Sequence, residues 1–301
     1  MSEIRRFWVR NFKSLRDVEL GFPTKLTVVV GPSGLDKTAL AETFLILSDA
    51  AWRHIPRRES PRGVSVGIEI ELGCAMLYEV RIGGEVQDDL EVHCPYVDAD
   101  LIGADQFGIV VGAALRGLLK DVAVILNIDW KTVRSPSPKP LVKQMRLQPD
   151  ASNFVPYLYT ITRGNVPESL VEALRYVFPG VNNIWFEEEG GRLLLKFTTS
   201  SGVELDQTNA PASVLKTLIV ETVLHTNPML VVIDEFENSL HPEAQQFLMD
   251  EFRSRGVYAV LMTPLHGAAG LREDPQRGRP PEPRKRGDKG AQAQQGGRRE
   301  A

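Results

Sequence analysis

Apolar residues near the N-terminus fall in short, strand-like groups. Val18 and Leu20 alternate with polar neighbours, and Leu26 to Val30 is an apolar run that stops at Gly31, so residues 4 to 31 are expected to hold three strands. A run of the second kind suits a strand covered on both faces. The spacing then changes. Ala39, Leu40, Phe44 and Leu45 recur at helical intervals, which predicts a helix from Lys37 onward. Alternation returns at Val64, Val66, Ile68, Ile70, Leu77, Val80 and Ile82 and predicts an antiparallel group over 64 to 93. Residues 107 to 128 read as helix, Ser135 to Pro140 as a connector, and 166 to 178 as a helix opened by Pro167 and Glu168 and closed by Pro179-Gly180. Ile184 to Thr198 reads as a hairpin turned at Gly190-Gly191. The pattern ends with a helix over Val214 to Leu224, a buried strand over Met229 to Ile233, a helix over Glu243 to Arg255 stopped by Gly256, and an apolar strand over Val257 to Met262.

From Gly270 the pattern disappears. Arg, Gly, Pro and Gln dominate with hardly an apolar side chain, so residues 270 to 301 are expected to be disordered and residues 1 to 269 to form the folded domain. A chain of 301 residues with 43% hydrophobic and 25% charged side chains has ample material for a core. The net charge of −4 supplies no global basic field for nucleic acid or acidic membrane. Cys74 and Cys94 match no disulfide framework or zinc spacing and fit a reducing compartment. Met1 to Arg10 carries charges with no apolar h-region after it, and Phe107 to Leu115 is too short to span a bilayer. A cytoplasmic protein without membrane contact is expected.

The first chemical feature is Gly31-Pro-Ser-Gly-Leu-Asp-Lys-Thr38, set between a buried strand and a helix as the P-loop pattern requires. Residues Gly31, Pro32, Ser33, Gly34, Leu35, Asp36, Lys37 and Thr38 are the candidate nucleotide-binding set. Backbone N–H groups of such a loop wrap phosphates, Lys37 reaches the β- and γ-phosphates, and the Thr38 hydroxyl ligates Mg²⁺. Asp36 stands where the pattern has glycine. A side chain there threatens a tight backbone path, and its carboxylate repels a triphosphate. The second feature is the apolar strand Met229 to Ile233 ending in Asp234 and Glu235. Asp234 is the candidate Mg²⁺ ligand, directly or through water, and Glu235 the candidate general base for an attacking water.

The residues that follow, Phe236-Glu-Asn-Ser-Leu-His-Pro242, complete a block that resembles the Walker B and D-loop of SMC/RecF-like and OLD-like ABC-type ATPases. Val9-Arg-Asn-Phe-Lys-Ser-Leu15 is similar to the strand and turn that open that family, and Leu147-Gln-Pro-Asp-Ala-Ser-Asn153 to a middle segment of its compact members. The two nucleotide motifs lie about two hundred residues apart, unlike those of ring-forming motors, and no sustained heptad pattern marks a long coiled coil. The resemblance implies an α/β P-loop fold like an ABC ATPase head: a mostly parallel core sheet, an antiparallel N-terminal sheet lobe, and a helical middle segment within an insert at about 100 to 180. It also implies ATP and Mg²⁺ as ligands, a homodimer formed on ATP binding, and a task in DNA metabolism or defence with DNA or a protein as partner.

Two further positions depart from the family. Its signature loop, which completes the partner's site, should precede the helix at 214. Here the chain reads Asn209-Ala-Pro-Ala-Ser213, leaving Ser213 as the candidate hydroxyl. A Thr-His-Ser switch is expected after the last strand, and the chain reads Thr263-Pro-Leu-His-Gly267, with Pro264 in place of the histidine and His266 two positions late. With suitable codons, a one-nucleotide shift near codon 263 regenerates His-Ser-Thr, and the altered tail begins just downstream. The other reading of the tail is a basic arm, with eight Lys and Arg against three Asp and Glu over 276 to 301. Lys13 resembles a basic residue that reaches the phosphates in some relatives. Two functions stay open: an ATPase, and a degenerate nucleotide-binding scaffold that does not hydrolyse. A kinase or GTPase finds no acceptor lid or guanine motif.

Overall fold

The computed structural model describes residues 3–32, 35–52, 63–71, 75–83, 85–93, 113–138 and 142–264. All of them belong to one unit, Met1–Leu271. Ser33, Gly34, Cys74, Cys94, residues 107–112, His266 and the tail from 270 lie outside the described residues, and so do the expectations that fall on them.

The parallel sheet is the centre of the fold. Its strands are β3 (Leu26–Gly31), β7 (Val122–Ile125), β12 (Leu230–Ile233) and β13 (Tyr258–Pro264), ordered β3-β13-β12-β7. Alternate residues face opposite sides of a strand, and both sides of this sheet are covered. Val231, Ile233, Ala259 and Leu261 face one core, while Leu230, Val232, Val260 and Met262 face the other. Burial on both faces explains why β12 and β13 read as unbroken apolar runs rather than as alternations.

The second of those cores is closed by α1 (Leu35–Trp52) and by the antiparallel sheet β2-β1-β4-β5-β6. The strands of that sheet are β1 (Glu3–Phe12), β2 (Leu15–Gly21), β4 (Val64–Glu71), β5 (Ala75–Gly83) and β6 (Glu85–His93). Helix α1 turns Leu40, Phe44 and Leu47 inward, and Phe44 stacks on Phe7 of β1 with ring centroids 3.8 Å apart. Opposite Trp8, β4 carries Gly67, where a Cβ would lie 2.0 Å from the indole. That close approach explains the glycine inside a strand of Val and Ile.

The other core lies under α5 (Glu168–Val177), α6 (Ala212–His225) and α7 (Pro242–Arg255), together with α4 (Phe154–Thr162) and the hairpin β9 (Val181–Glu189) and β10 (Arg192–Thr199). The hairpin turns at Gly190 and Gly191, both with positive φ, as expected. Helix α7 begins with Pro242 at its first position and ends at Gly256 with φ 63°, the proline-then-glycine asymmetry of helix ends. Helix α6 is buried throughout from Ser213 to Leu224.

Two segments differ from expectation. The stretch 107–128 is helix only over 113–120 among its described residues (α2), and Val122–Ile125 is a core strand. The β-branched Val122, Val124 and Ile125 pair in parallel with β12 and fill both cores. In the connector, Ser137–Pro138 forms a short strand, β8, which shares with β11 (Glu204–Asp206) the edge of β10 opposite β9. The middle segment therefore holds strands beside its helices, including the four-residue turn α3 (Trp130–Val133).

Candidate functional site

The carboxyl ends of β3 and β12 flank β13, and the two sequence motifs leave the sheet there, where ligands of parallel α/β folds bind. Lys37 and Thr38 sit in the first turns of α1. The Lys37 ammonium folds back onto the carbonyls of Gly31 (3.0 Å) and Pro32 (2.6 Å). Thr38 Oγ1 donates to Asp234 Oδ2 at 2.5 Å, joining residues 196 positions apart. Asp36 is exposed and lies in the first turn of α1 with no positive φ, so no glycine conformation is demanded there. An acid at this place complements the positive end of the α1 dipole and opposes an incoming phosphate.

Asp234 is buried, and its position is doubly fixed. Its N–H donates to Ile125 O of β7 (3.0 Å), and Phe236 N–H donates to Met262 O of β13 (3.0 Å). Phe236 is wholly buried between these anchors, worth about 1.5–3 kcal/mol of transfer free energy. Glu235 lies between them with φ 48°, and Ser239 has φ 63°. Such backbone in non-glycine residues clusters at functional sites. The bend turns the Glu235 side chain outward, where Oε2 accepts a hydrogen bond from Asn238 Nδ2 at 2.8 Å. Beside it opens a cavity of about 290 Å³ lined by Asn127, Trp130, Lys216, Asp234, Glu235 and Asn238, among others.

Lys216 was not legible as a site residue. It projects from α6 into this cavity, is buried, and donates to the carbonyls of Glu235 and Asn238, both at 2.8 Å. Burial pulls its pKa down to about 8, against the opposing pull of Glu237, Glu235 and Asp234. The available signal was a lysine set, with Glu221, inside a mostly apolar helix. Ser213 sits one turn earlier on α6 and is buried. Lys13 has φ 52° and forms an ion pair with Glu42, one turn beyond Thr38 on α1. Pro264, at the expected switch position, pairs with Gly31 in the β13–β3 register, so position 264 abuts the start of the Gly31 to Thr38 segment.

The donor set fits a magnesium nucleotide. Thr38 and Asp234 converge as a hydroxyl and a carboxylate, and the Lys37 ammonium lies within the loop. Among the described residues no cluster of three or more His, Cys, Asp or Glu is arranged to hold a metal ion. No helix of the described residues is long and apolar enough to cross a membrane.

No protein-family model matches the sequence, and no curated protein matches it. Solved structures do. The Smc head bound to the C-winged helix domain of ScpA matches with a TM-score of 0.56 at 13% identity, covering 89% of this chain and 91% of that one. An Smc head domain with an extended coiled coil, bound to the C-terminal domain of ScpA derived from Pyrococcus furiosus, gives 0.57 at 11% identity and covers 90% and 92%. At such identities the likeness establishes the fold. The chain has the fold of an SMC head, the ABC-type P-loop ATPase architecture that its motifs led one to expect.

Proposed function

We propose that this chain binds ATP with Mg²⁺ on Gly31 to Thr38 and hydrolyses it to ADP and phosphate. The observation that carries the reading is the Thr38–Asp234 hydrogen bond, which brings the two motifs together through the groups that would share the ion. Thr38 and Asp234 would hold Mg²⁺, which when bound neutralises charge on the phosphoryl group being transferred. The chain supplies the rest. Lys37 exchanges the carbonyls of Gly31 and Pro32 for phosphate oxygens. The N-terminus of α1 adds its dipole. Glu235 accepts a proton from the attacking water, with its second oxygen steadied by Asn238.

Hydrolysis takes place between two protomers in this reading, with Ser213 offered to the partner's nucleotide. Because Ser213 is buried, that contact requires the start of α6 to be uncovered on dimerisation. The output is action on DNA or on a protein partner in the cytoplasm, in DNA metabolism or defence. The Smc heads that share the fold are bound to ScpA, which supports a head that works with a protein partner. A second reading, ATP binding without turnover, draws on Asp36 in the first turn of α1 and on Pro264 beside Gly31. Turnover and ATP affinity of Glu235→Gln against the unaltered chain separate the two. Hydrolysis requires turnover that this substitution removes while binding persists.

A further inference from the structure

Helix α6 is buried on every side from Ser213 to Leu224, yet it carries two ionisable side chains, Lys216 and Glu221. A helix covered all round is ordinarily apolar all round, and a charge inside it needs compensating partners. Glu221 has Arg255. Lys216 instead directs its ammonium to two main-chain carbonyls, those of Glu235 and Asn238. These belong to the one turn that carries both carboxylates of the site.

That turn needs holding. Glu235 and Ser239 have positive φ, a region that non-glycine residues seldom occupy. Within the turn Asn238 N–H donates to Glu235 O at 3.0 Å, and Leu240 N–H to Glu237 O at 3.1 Å. Lys216 adds a clamp from another element, reaching across to the first and last carbonyls of the Glu235–Asn238 segment. The Asn238 amide then fixes the Glu235 carboxylate. A continuous chain of contacts thus runs from α6 to the carboxylate of the candidate base.

We propose that Lys216 is a positioning residue: its ammonium holds the Asp234–Ser239 turn in the conformation that aims the Glu235 carboxylate into the cavity beside Asp234. The inference rests on the reading of Glu235 as the base, and it adds a residue that acts through the main chain of the turn. Small misplacements of a catalytic group lower rates by up to about a hundredfold.

The test compares Lys216→Met, which keeps length and packing but deletes the donors, with Lys216→Arg, which keeps them. Lys216→Gln, which has a donor but no charge, replaces the Met variant if that one does not fold. The Met variant should lose about 10- to 100-fold in kcat, with KM and the ATP dissociation constant within about threefold. The Arg variant should recover most of the rate. Amide exchange at Asn238 and Leu240 should quicken by about tenfold in the Met variant and not in Arg, while β12 and β13 stay protected. A kcat within twofold of the unaltered chain, or a loss of affinity that matches the loss of rate, overturns the proposal. If the unaltered chain binds ATP without hydrolysing it, the reading of Glu235 fails separately. The exchange comparison then decides the clamp: faster exchange in Met, reversed in Arg, supports it, and equal exchange overturns it.

Discussion

Glu221 offers a prediction whose size follows from its surroundings. It is wholly buried on α6, with one oxygen 2.9 Å from Arg255 and the other, Oε1, without a hydrogen-bond partner. Burial raises its pKa from the ordinary 4.5 to about 7, more than Arg255 can offset, and Glu251 nearby pushes the same way. The folded state therefore keeps a proton that the unfolded chain gives up. The stabilisation from this group is fully present below pH 4.5 and is lost as pH rises through about 7. At roughly 1.4 kcal/mol per tenfold in proton affinity, its full extent is about 3 kcal/mol, most of it falling between pH 5 and 8. Glu221→Gln cannot ionise. Urea unfolding of both proteins from pH 5 to 8 should show the variant gaining on the unaltered chain as pH rises, by roughly 2–3 kcal/mol across the window. A stability difference that stays constant with pH would refute the reasoning, because it would mean that Glu221 is ionised in the folded state across the whole range.

Asp36→Gly should tighten ATP binding by about tenfold, since a carboxylate near the phosphates costs on the order of 1 kcal/mol per charge pair even in water. Isothermal titration of both proteins checks this, and equal affinities would show that Asp36 turns away from the nucleotide. Gly67→Ala should destabilise the fold by about 1–3 kcal/mol, because the new methyl would lie 2.0 Å from the Trp8 ring and force the sheet or the indole to move. A thermal melt unchanged from that of the parent would contradict the packing of Trp8.

Much of the site was legible because its chemistry sits in contiguous residues. The Gly31 to Thr38 loop and the Asp234-Glu235 pair each follow an apolar run, and such a run ending in a glycine or an acid marks a strand end. Strand β7 was obscured by its neighbours. Leu115, Leu118 and Leu119 set a helical rhythm just before it, and four apolar residues cannot be told from helix by period alone. Only parallel pairing with β12 makes Val122–Ile125 a strand. Lys216 was missed for a related reason. Its partners lie 19 and 22 residues further on, and they are carbonyls, which every residue has. Side-chain identity carries no trace of such a bond. A lysine and a glutamate set five positions apart in an apolar helix are the only hint that both are held inside.

The convergence of Thr38, Asp234 and Glu235 is the centre of the account, and Glu235→Gln tests it most directly. Steady-state phosphate release and equilibrium ATP binding, each with Mg²⁺ and with the ion chelated, should be measured for this variant and the unaltered chain. Mg²⁺-dependent binding is expected in both proteins, turnover in the unaltered chain, and a fall in turnover of about a hundredfold or more in the variant, in keeping with the loss of a general base. Turnover that survives the substitution, or ATP binding that is absent from both proteins, would contradict it.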